Sequence, residues 1–520
     1  MSIDLIKENI LSEHVLGENI ANTMVKEEYI IPDTLPDIIE IISLNASPKI
    51  KSREVMRDKV YIEGEVIYNL LYKGKVDENF SIYSANYKGV FKDYVQLDNA
   101  EQGMEVNAAI NIEHIKPNII NERKIGIECI FNIKVLVFDQ VNYKILKNIS
   151  GRDDIQVLKT SFSDEKIIVR SEEDMVGKLH IDIPQDKVEA GEILAYNTFI
   201  HDRNLILEDN KIKLSCKVRY DVVYKEKDGN EIASVSDDML LSKEVDAPNV
   251  TSEMEGEAKY SIIDIDQAIK EDDLGERRSI DIEVLAKAEF KVNSKETIDI
   301  LQDAYSKGSI IEVSKEEYEI NVLMAKAKNE TIVRSSIDVD EEELKPSHIL
   351  FSKGDISSQE VKVLEDKVLA EGVINVKMLY RTDNKEYILK SLQQDIPFSA
   401  GIDIKGAKID MEAALNSCIN VLDVSYEKGS IKIKAIVNME VSLYSKIKKE
   451  FAVDLNEDEG QLPEKKASFI IYTVQKGDTL WKIAKKYFAS VEEIQDVNEI
   501  SDSSKLNIGE KLIIPGRAII

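Results

Sequence analysis

The sequence has little cysteine, histidine, tryptophan or proline for its length. Its 520 residues include three cysteines, five histidines, one tryptophan and ten prolines. The cysteines, Cys129, Cys216 and Cys418, are widely spaced and form neither a metal-binding nor a redox motif. Two of them, Cys129 and Cys216, lie in strand-like runs, so we expect buried free thiols and a reducing compartment.

Catalytic motifs are also missing. No two of the histidines, at positions 14, 114, 180, 201 and 348, show the spacing of a metal site, and the nucleophile-elbow, Walker A and GxGxxG patterns are absent. Acidic runs such as residues 340–343 are typical of solvated loops or helix starts. Sequence alone does not show whether two acids share a cleft, as they would in a muramidase. We therefore expect surface histidines, no catalytic residue, no metal, no cofactor and no enzyme activity.

Long apolar runs and a positive charge surplus are absent as well. No stretch approaches the ~18 apolar residues of a membrane span, and the N-terminal residues have acids early and no apolar core of a signal peptide. The formal charge of −29 argues against nucleic acid and anionic membranes, because both need a cationic footprint. The sequence thus predicts no transmembrane segment, no nucleic-acid partner and no export.

An internal repeat is present instead. The segment from Lys59 to Tyr72 is similar to that from Lys367 to Tyr380, and a weaker middle copy ends at Tyr224. The three tyrosines are 152 and 156 residues apart, and later strand-like runs beginning at residues 124, 279 and 430 recur at similar offsets. A chain of this length exceeds the ~250–300 residues of a single core. Three near-equal domains, arranged as beads in series, are the simplest interpretation.

Within a copy, hydrophobic residues mostly alternate with polar ones. Ile125, Ile127, Cys129 and Phe131 are an example, and this period indicates half-buried antiparallel strands. A short helix is predicted after each Pro32-like position, the first being Asp37–Ile42, with Pro36 at its start. The sequence therefore predicts a mainly β protein of three tandem antiparallel β-rich domains with short helices. Each domain is either a sandwich or a partly closed barrel.

A different pattern occupies the last fifty or so residues. A short strand around 470–474 leads to a turn at Gly477, and a helix follows with apolar residues at Leu480, Ile483, Ala484 and Tyr487. A second helix, a turn at Gly509 and a strand ended by a proline complete a βααβ order. Glycine permits the positive φ of sharp turns, and the aspartate and threonine after Gly477 are able to cap the helix.

This βααβ pattern resembles a LysM module, which binds ligands and catalyses nothing. In that family a groove between the first strand–helix turn and the loop before the last strand holds N-acetylglucosamine-containing glycans. The resemblance implies a partner- or glycan-binding site at residues that otherwise only build the fold. Those residues are Gly477, Asp478, Thr479, Leu480 and Trp481 on one side and Leu506, Asn507, Ile508 and Gly509 on the other. Trp481 is either an exposed interface residue or part of the core.

The upstream repeat resembles the SPOCS domain of bacterial spore coat and cortex proteins. The resemblance rests on Pro32-Asp-Thr-Leu-Pro-Asp-Ile38 and on the segment 59–72 with its Glu63-Gly64 step. Copies two and three lack the Pro-Asp-Ile, and copy two has Cys216 at the position of Gly64. Predicted boundaries are 1–155, 156–310 and 311–453 for the three copies. A charged, flexible linker is predicted at 454–468 and the LysM domain at 469–516.

Three SPOCS copies followed by one LysM is the order of clostridial coat-assembly proteins. The resemblance implies a non-catalytic scaffold in the mother-cell cytoplasm and at the forespore surface, within the spore coat. Its expected partners are the morphogenetic coat ATPase, contacted through the LysM, and other coat proteins. The alternative is a peptidoglycan- or N-acetylglucosamine-binding wall protein, or the targeting arm of a wall hydrolase.

Overall fold

A computed structural model describes residues 3–76, 79–272, 274–339, 345–384, 388–458, 468–500 and 506–516. Copy one contains β1 (Asp4–Ile30), β2 (Ile38–Met56), β3 (Lys59–Val76), β4 (Asn79–Gln96), β5 (Glu105–Asn121) and β6 (Lys124–Ser150). Copy two contains β7 (Ile155–Asp182), β8 (Ala190–Glu208), β9 (Lys211–Glu226), β10 (Ile232–Asp246), β11 (Glu255–Lys270) and β12 (Ser279–Ser306). Copy three contains β13 (Ile310–Asp338), β14 (Pro346–Leu364), β15 (Lys367–Thr382), β16 (Leu389–Asp403), β17 (Glu412–Glu427) and β18 (Ser430–Asp458).

Each copy is a sandwich of two three-stranded antiparallel sheets. In copy one the strand orders are β1-β6-β5 and β2-β3-β4, and copies two and three repeat them. Ile125, Ile127 and Cys129 of β6 are buried against Val60 and Ile62 of the facing sheet in one apolar cluster. The predicted period-two pattern is therefore confirmed, and of the two predicted architectures the sandwich is the one that forms.

The first and last strands of each copy extend far beyond their sandwich. β1 and β6 have 27 residues each, and β12 and β13 have 28 and 29. Their outer halves pair into three two-stranded ribbons, which we call the stalk. The stalk comprises residues 4–15 with 138–150, 155–167 with 293–306, and 310–323 with 444–458. A register shift separates ribbon from sandwich in every copy, at Val15/Gly17, Val292/Asn293 and Leu323/Ala325.

The stalk has its own core, to which all three copies contribute. One apolar cluster contains Tyr143 and Ile145 from copy one, Phe162 and Ile300 from copy two, and Ile320 and Phe451 from copy three. A second cluster nearer the tip contains Leu146, Leu301, Ala304, Ile311, Ala452 and Leu455. At the tip, Arg152 and Asp154 lie in the turn between β6 and β7. Arg152 donates to Asp154 at 2.7 Å and to Glu457 of β18 at 2.5 Å, so this turn is joined to copy three.

The sandwiches also meet one another directly. Leu71, Val223 and Leu379 occupy equivalent positions on the central strands β3, β9 and β15, are at most 1% exposed, and share a cluster of buried residues. A ring of hydrogen bonds closes around these contacts. Its members are Asn69 Nδ2 to Leu194 O at 3.3 Å, Asn197 Nδ2 to Ser352 O at 3.2 Å, and Lys377 Nζ to Leu44 O at 2.5 Å.

The interpretation as beads in series is therefore wrong. Each hydrogen bond of that ring runs from one copy to another, and the last one returns from copy three to copy one. The three copies form one body with pseudo-threefold symmetry, because each sandwich buries an apolar patch that it cannot cover alone.

The predicted helix at Asp37–Ile42 is also wrong, since this segment begins strand β2. In the described residues no helix occurs in the three copies. The apolar spacing was misleading because two neighbouring isoleucines of β2 face two different cores. Ile41 packs on the core of copy one, whereas Ile42 packs on the cluster between the copies.

The C-terminal module has the predicted βααβ order. It contains β19 (Phe469–Thr473), α1 (Leu480–Tyr487), α2 (Val491–Asn498) and β20 (Lys511–Pro515), with β19 antiparallel to β20. Thr479 caps α1 and Ser490 forms a capping box with Glu493 at α2. β18 continues to Asp458, past the predicted boundary at 453, so residues 454–458 belong to a strand. Residues 459–467 of the predicted linker lie outside the described residues.

Candidate binding site

Two glycine turns lie side by side at one end of the C-terminal module. Gly477 and Gly509 have φ values of 89° and 88°, a conformation that other residues adopt only with strain. The turns are joined through Val474, whose carbonyl accepts from Gly509 N at 2.8 Å and whose N–H donates to Glu510 O at 2.9 Å. The geometry therefore brings together the two segments that the sequence assigned to a groove.

Asp478 stabilises the first turn from within. Its Oδ2 accepts hydrogen bonds from Tyr472 OH at 2.7 Å and from Gln475 N at 2.8 Å. These bonds to the charged form lower the pKa of Asp478 and raise that of Tyr472. Asp478 is consequently a turn-holding carboxylate rather than the cap of α1, which is Thr479.

The second turn is held by a similar device. Glu510 Oε2 accepts from the backbone N–H of Asn507 at 3.1 Å and from its side-chain amide at 3.2 Å, while Glu510 N donates to Asn507 O at 3.0 Å. Both turns are thus fixed by hydrogen bonds within the module, so the surface that they form is preorganised.

The predicted site residues differ in exposure. Gly477, Thr479, Asn507, Ile508 and Gly509 are exposed, and the side chain of Ile508 is 71% exposed. Asp478, Trp481 and Leu506 are half-buried, and Leu480 is 1% exposed within the module core. We call the exposed residues 477, 479 and 507–509 the turn surface. Ile508 is the large apolar side chain of the turn surface, and the residues beside it are polar or glycine.

Trp481 points away from solvent and contacts the tip of the stalk. Its indole Nε1–H donates to Asp303 Oδ2 at 2.8 Å, and its ring lies edge-on to Tyr305 with centroids 4.9 Å apart. Lys485 donates to the other oxygen of Asp303 at 2.6 Å. Tyr305 OH donates to Ala489 O at 2.7 Å. Trp481 is therefore not a free interface residue, and it packs against the cluster that joins the module's core to Tyr305.

The comparisons with known proteins agree with this architecture. The SipL, SPOCS domain family model matches residues 37–120, 189–270 and 346–433, and the LysM domain model matches residues 472–515. The chain belongs to the SipL family. Both resemblances drawn from the sequence are confirmed, and with them a spore-associated protein whose LysM module is of the peptidoglycan-binding type. Neither domain type is catalytic.

Two curated relatives match the LysM part of the chain. Two proteins described as "Probable N-acetylmuramidase", from Lactococcus lactis subsp. cremoris strain MG1363 and from Lactococcus lactis subsp. cremoris, are each 47% identical over 47 residues. The match covers 9% of this chain and 10% of each relative, so the chain spans about a tenth of their length. No solved structure matches the chain.

The SPOCS matches do not include the stalk. They cover the middle strands of each copy, whereas the stalk uses residues 4–15, 155–167 and 310–323 with their partner strands. The residues that receive the LysM domain, Asp303 and Tyr305, therefore lie outside the matched segments.

Sequence reasoning missed this receiving site, although one signal was present. At the offsets of the later strands, Tyr305 corresponds to Ser150 and Asn456 of the other copies. A large aromatic side chain at a position that is otherwise polar indicates an additional contact. Asp303 gives no such signal, because Asn148 and Asp454 at its equivalent positions are also polar.

The described residues contain no group of three metal-ligating side chains placed to hold an ion. None of the helices in those ranges is long and apolar enough to cross a membrane. All three cysteines are free thiols, and burial raises the pKa of Cys216 to about 11.

His14 departs from the expectation that the histidines lie at the surface. It is 8% exposed at the junction between copies, where its Nδ1 accepts from Asn321 N of copy three at 3.3 Å and its Nε2 meets Tyr143 OH. Burial lowers the pKa of His14, and the negative charges of Asp139 and Glu13 offset only part of that shift. The adjacent Glu13 accepts from Arg170 of copy two at 2.5 Å. Glu13 and His14 of copy one therefore contact copy two and copy three, respectively.

Proposed function

We propose that this chain is a non-catalytic scaffold of spore coat assembly. In this proposal the LysM domain binds the morphogenetic coat ATPase through the turn surface, while the three-copy body contacts other coat proteins. The protein acts in the mother-cell cytoplasm and at the forespore surface, and so helps to encase the forespore. The observation that carries the proposal is the turn surface, which stays exposed although the LysM domain is docked on the stalk.

The body supports a scaffold role through its rigidity. Three sandwiches joined by a common stalk core and a closed ring of hydrogen bonds cannot extend like a string. Because the LysM domain is docked on this body, its turn surface has a defined direction relative to the sandwiches. A binding surface held in one orientation loses less entropy on association than one on a free arm.

A second function is favoured by a separate observation. The 47% identity to the two Lactococcus proteins described as "Probable N-acetylmuramidase" falls on the LysM segment, and the residues of the turn surface are among those of the LysM groove. The alternative proposal is that the same surface binds peptidoglycan, either structurally or to direct a hydrolase to the wall.

One pair of variants separates the turn surface from the rest of the LysM domain. Ile508→Asp places a charge on the turn surface, whereas Ile471→Asp places it on the outer face of β19, where the isoleucine is 61% exposed. We expect Ile508→Asp to weaken binding of the full chain to the purified ATPase at least tenfold, and Ile471→Asp to change it less than twofold. Biolayer interferometry with immobilised ATPase measures both.

The same proteins are then incubated with insoluble peptidoglycan and sedimented. Retention of the wild type on peptidoglycan that is lost in Ile508→Asp, without measurable ATPase binding, would establish the wall-binding alternative. Equal ATPase affinity of the two variants would show that the turn surface is not the contact.

A further inference from the structure

The contact between the LysM domain and the stalk tip is small and mostly polar. It consists of Asp303 with Trp481 and Lys485, Tyr305 with Ala489, and Lys307 with Glu493 at 3.1 Å. The stalk contributes one large apolar side chain, that of Tyr305, which is 2% exposed. We call this set of contacts the latch.

Each side of the latch has apolar packing of its own. The LysM domain has its own core of Val474, Leu480, Ile483, Ala484, Ile494, Leu512 and Ile514, and the stalk tip has the cluster around Leu301, Ala304 and Leu455. Tyr305 packs against this LysM core. Separation would therefore expose Trp481, Tyr305 and the part of the core that Tyr305 covers, while the remaining core residues of each side stay packed among themselves. Such a contact can exchange as a rigid unit.

The connection between the two sides permits exchange with another molecule. Nine residues, 459–467, join β18 to the LysM domain, and a chain of that length reaches at most about 30–35 Å. A self-contained domain on a short connection, docked within its own chain, has the arrangement from which domain swapping arises.

The charges also favour a second copy as the occupant. On the LysM side, the indole N–H of Trp481 and the ammonium group of Lys485 donate to the two oxygens of the Asp303 carboxylate. Lys307 of the tip then meets Glu493 of the LysM domain, so the two sides carry complementary charges in a fixed order. Every copy of the chain carries both sides, so the match is guaranteed between copies.

From these observations we infer that the latch exchanges between copies: the LysM domain of one chain docks on the stalk tip of a second copy. The contact within one chain is favoured by its high effective concentration, and contact between chains takes over when chains are crowded or when the internal contact is broken. The inference does not depend on which external partner the turn surface binds.

A charge-swap experiment tests this directly. In the Asp303→Lys variant the LysM side is unchanged and the tip carries a lysine that repels Lys485. In the Lys485→Asp variant the tip is unchanged and the LysM side carries an aspartate that repels Asp303. Each variant alone should be a monomer of 58.9 kDa with the latch open. When the two are mixed, the intact sides match each other and the reversed charges match as well. We therefore expect a heterodimer of twice that mass by size-exclusion chromatography with light scattering.

The single tryptophan gives an independent readout, because Trp481 lies in the latch and the chain has no other. Its fluorescence should shift to longer wavelength and become more accessible to acrylamide in each variant alone, and should return toward the wild-type emission on mixing. Matched controls are Asp299→Lys on the same strand β12 and Lys486→Asp on the same helix α1. Both residues are exposed outside the latch, and their mixture should stay monomeric with unchanged emission.

Two results would overturn the inference. If the emission of Trp481 stays as in the wild type in both latch variants, the charges do not hold the contact. If the emission shifts but the mixture remains at the monomer mass at concentrations up to 100-fold above those used for the single variants, the latch does not form between copies. The neutral variants Asp303→Asn and Lys485→Gln guard against misfolding, since they weaken the latch without adding repulsion. Their mixture again contains one intact LysM side and one intact tip, so a heterodimer is expected from this pair as well.

Discussion

Phe451→Ala is the substitution that most directly tests the shared stalk. Phe451 belongs to copy three and is 1% exposed. Its ring centroid lies 5.7 Å from that of Tyr143 in copy one and 5.2 Å from that of Phe162 in copy two. Loss of this side chain therefore opens a cavity that is lined by all three copies.

The expected cost follows from burial and ring packing. Replacing a fully buried phenylalanine by alanine typically costs about 3–5 kcal/mol. The contacts of Phe451 with three aromatic rings, of which the one with Phe162 is edge-on, place it in the middle or upper part of that range. A loss of about 4 kcal/mol raises the equilibrium constant for opening of the stalk roughly a thousandfold. Because one core serves three ribbons, the three should open together.

Hydrogen–deuterium exchange with mass spectrometry measures this opening ribbon by ribbon. We expect faster exchange in residues 138–150, 293–306 and 444–458 alike. Phe131→Ala is the matched control, since Phe131 is fully buried but packs on Phe91 within copy one, and its effect should stay in that sandwich. If Phe451→Ala accelerated exchange only in copy three, the shared stalk core would be refuted.

Three further predictions concern single residues. Burial and the charge of Lys353 lower the pKa of Lys377 to about 8. The unfolded chain therefore binds more protons than the folded chain between pH 8 and 10.5. The free energy of unfolding should rise with pH in that window by on the order of 2 kcal/mol. Urea midpoints of wild type and Lys377→Met should converge at the high end, and parallel curves would contradict the burial. Because burial lowers the pKa of His14 below 6.5, the wild type should lose stability as the pH falls from 6.5, and His14→Asn should lose less; an equal loss in both, by thermal denaturation, would exclude His14. Gly477→Ala meets no atom within 4 Å but keeps φ at 89°, so the LysM domain should lose about 1–2 kcal/mol by local exchange, and an unchanged protection would show that the turn relaxes.

The strands and the LysM order followed from the sequence because their signals are local. Alternation along residues 124–137 reports one buried face of a strand, and Gly477 and Gly509 report turns that need a positive φ. The same logic failed at Ile41 and Ile42, where neighbouring side chains face two different cores. A strand that is covered on both faces loses the alternation by which it is recognised.

The contact between the copies has a signature in the sequence of the central strands β3, β9 and β15. Leu70, Leu71 and Tyr72 are consecutive and fully buried, and the corresponding triplets at 222–224 and 378–380 are buried as well. Three adjacent apolar residues inside an alternating strand indicate that its outer face is covered too. The repeat made this visible three times, but it did not say that the three faces cover one another.

The sequence by itself determined the repeat, the alternating strands and the βααβ order of the LysM domain, because these depend on side chains close together along the chain. That each copy is a sandwich rather than a partly closed barrel was decided by the tertiary structure. Only the tertiary structure decided that the copies close into one pseudo-threefold body and that Trp481 is held by Asp303. These contacts join residues more than a hundred positions apart. Their formation depends on which apolar and charged surfaces are left uncovered once each domain has folded.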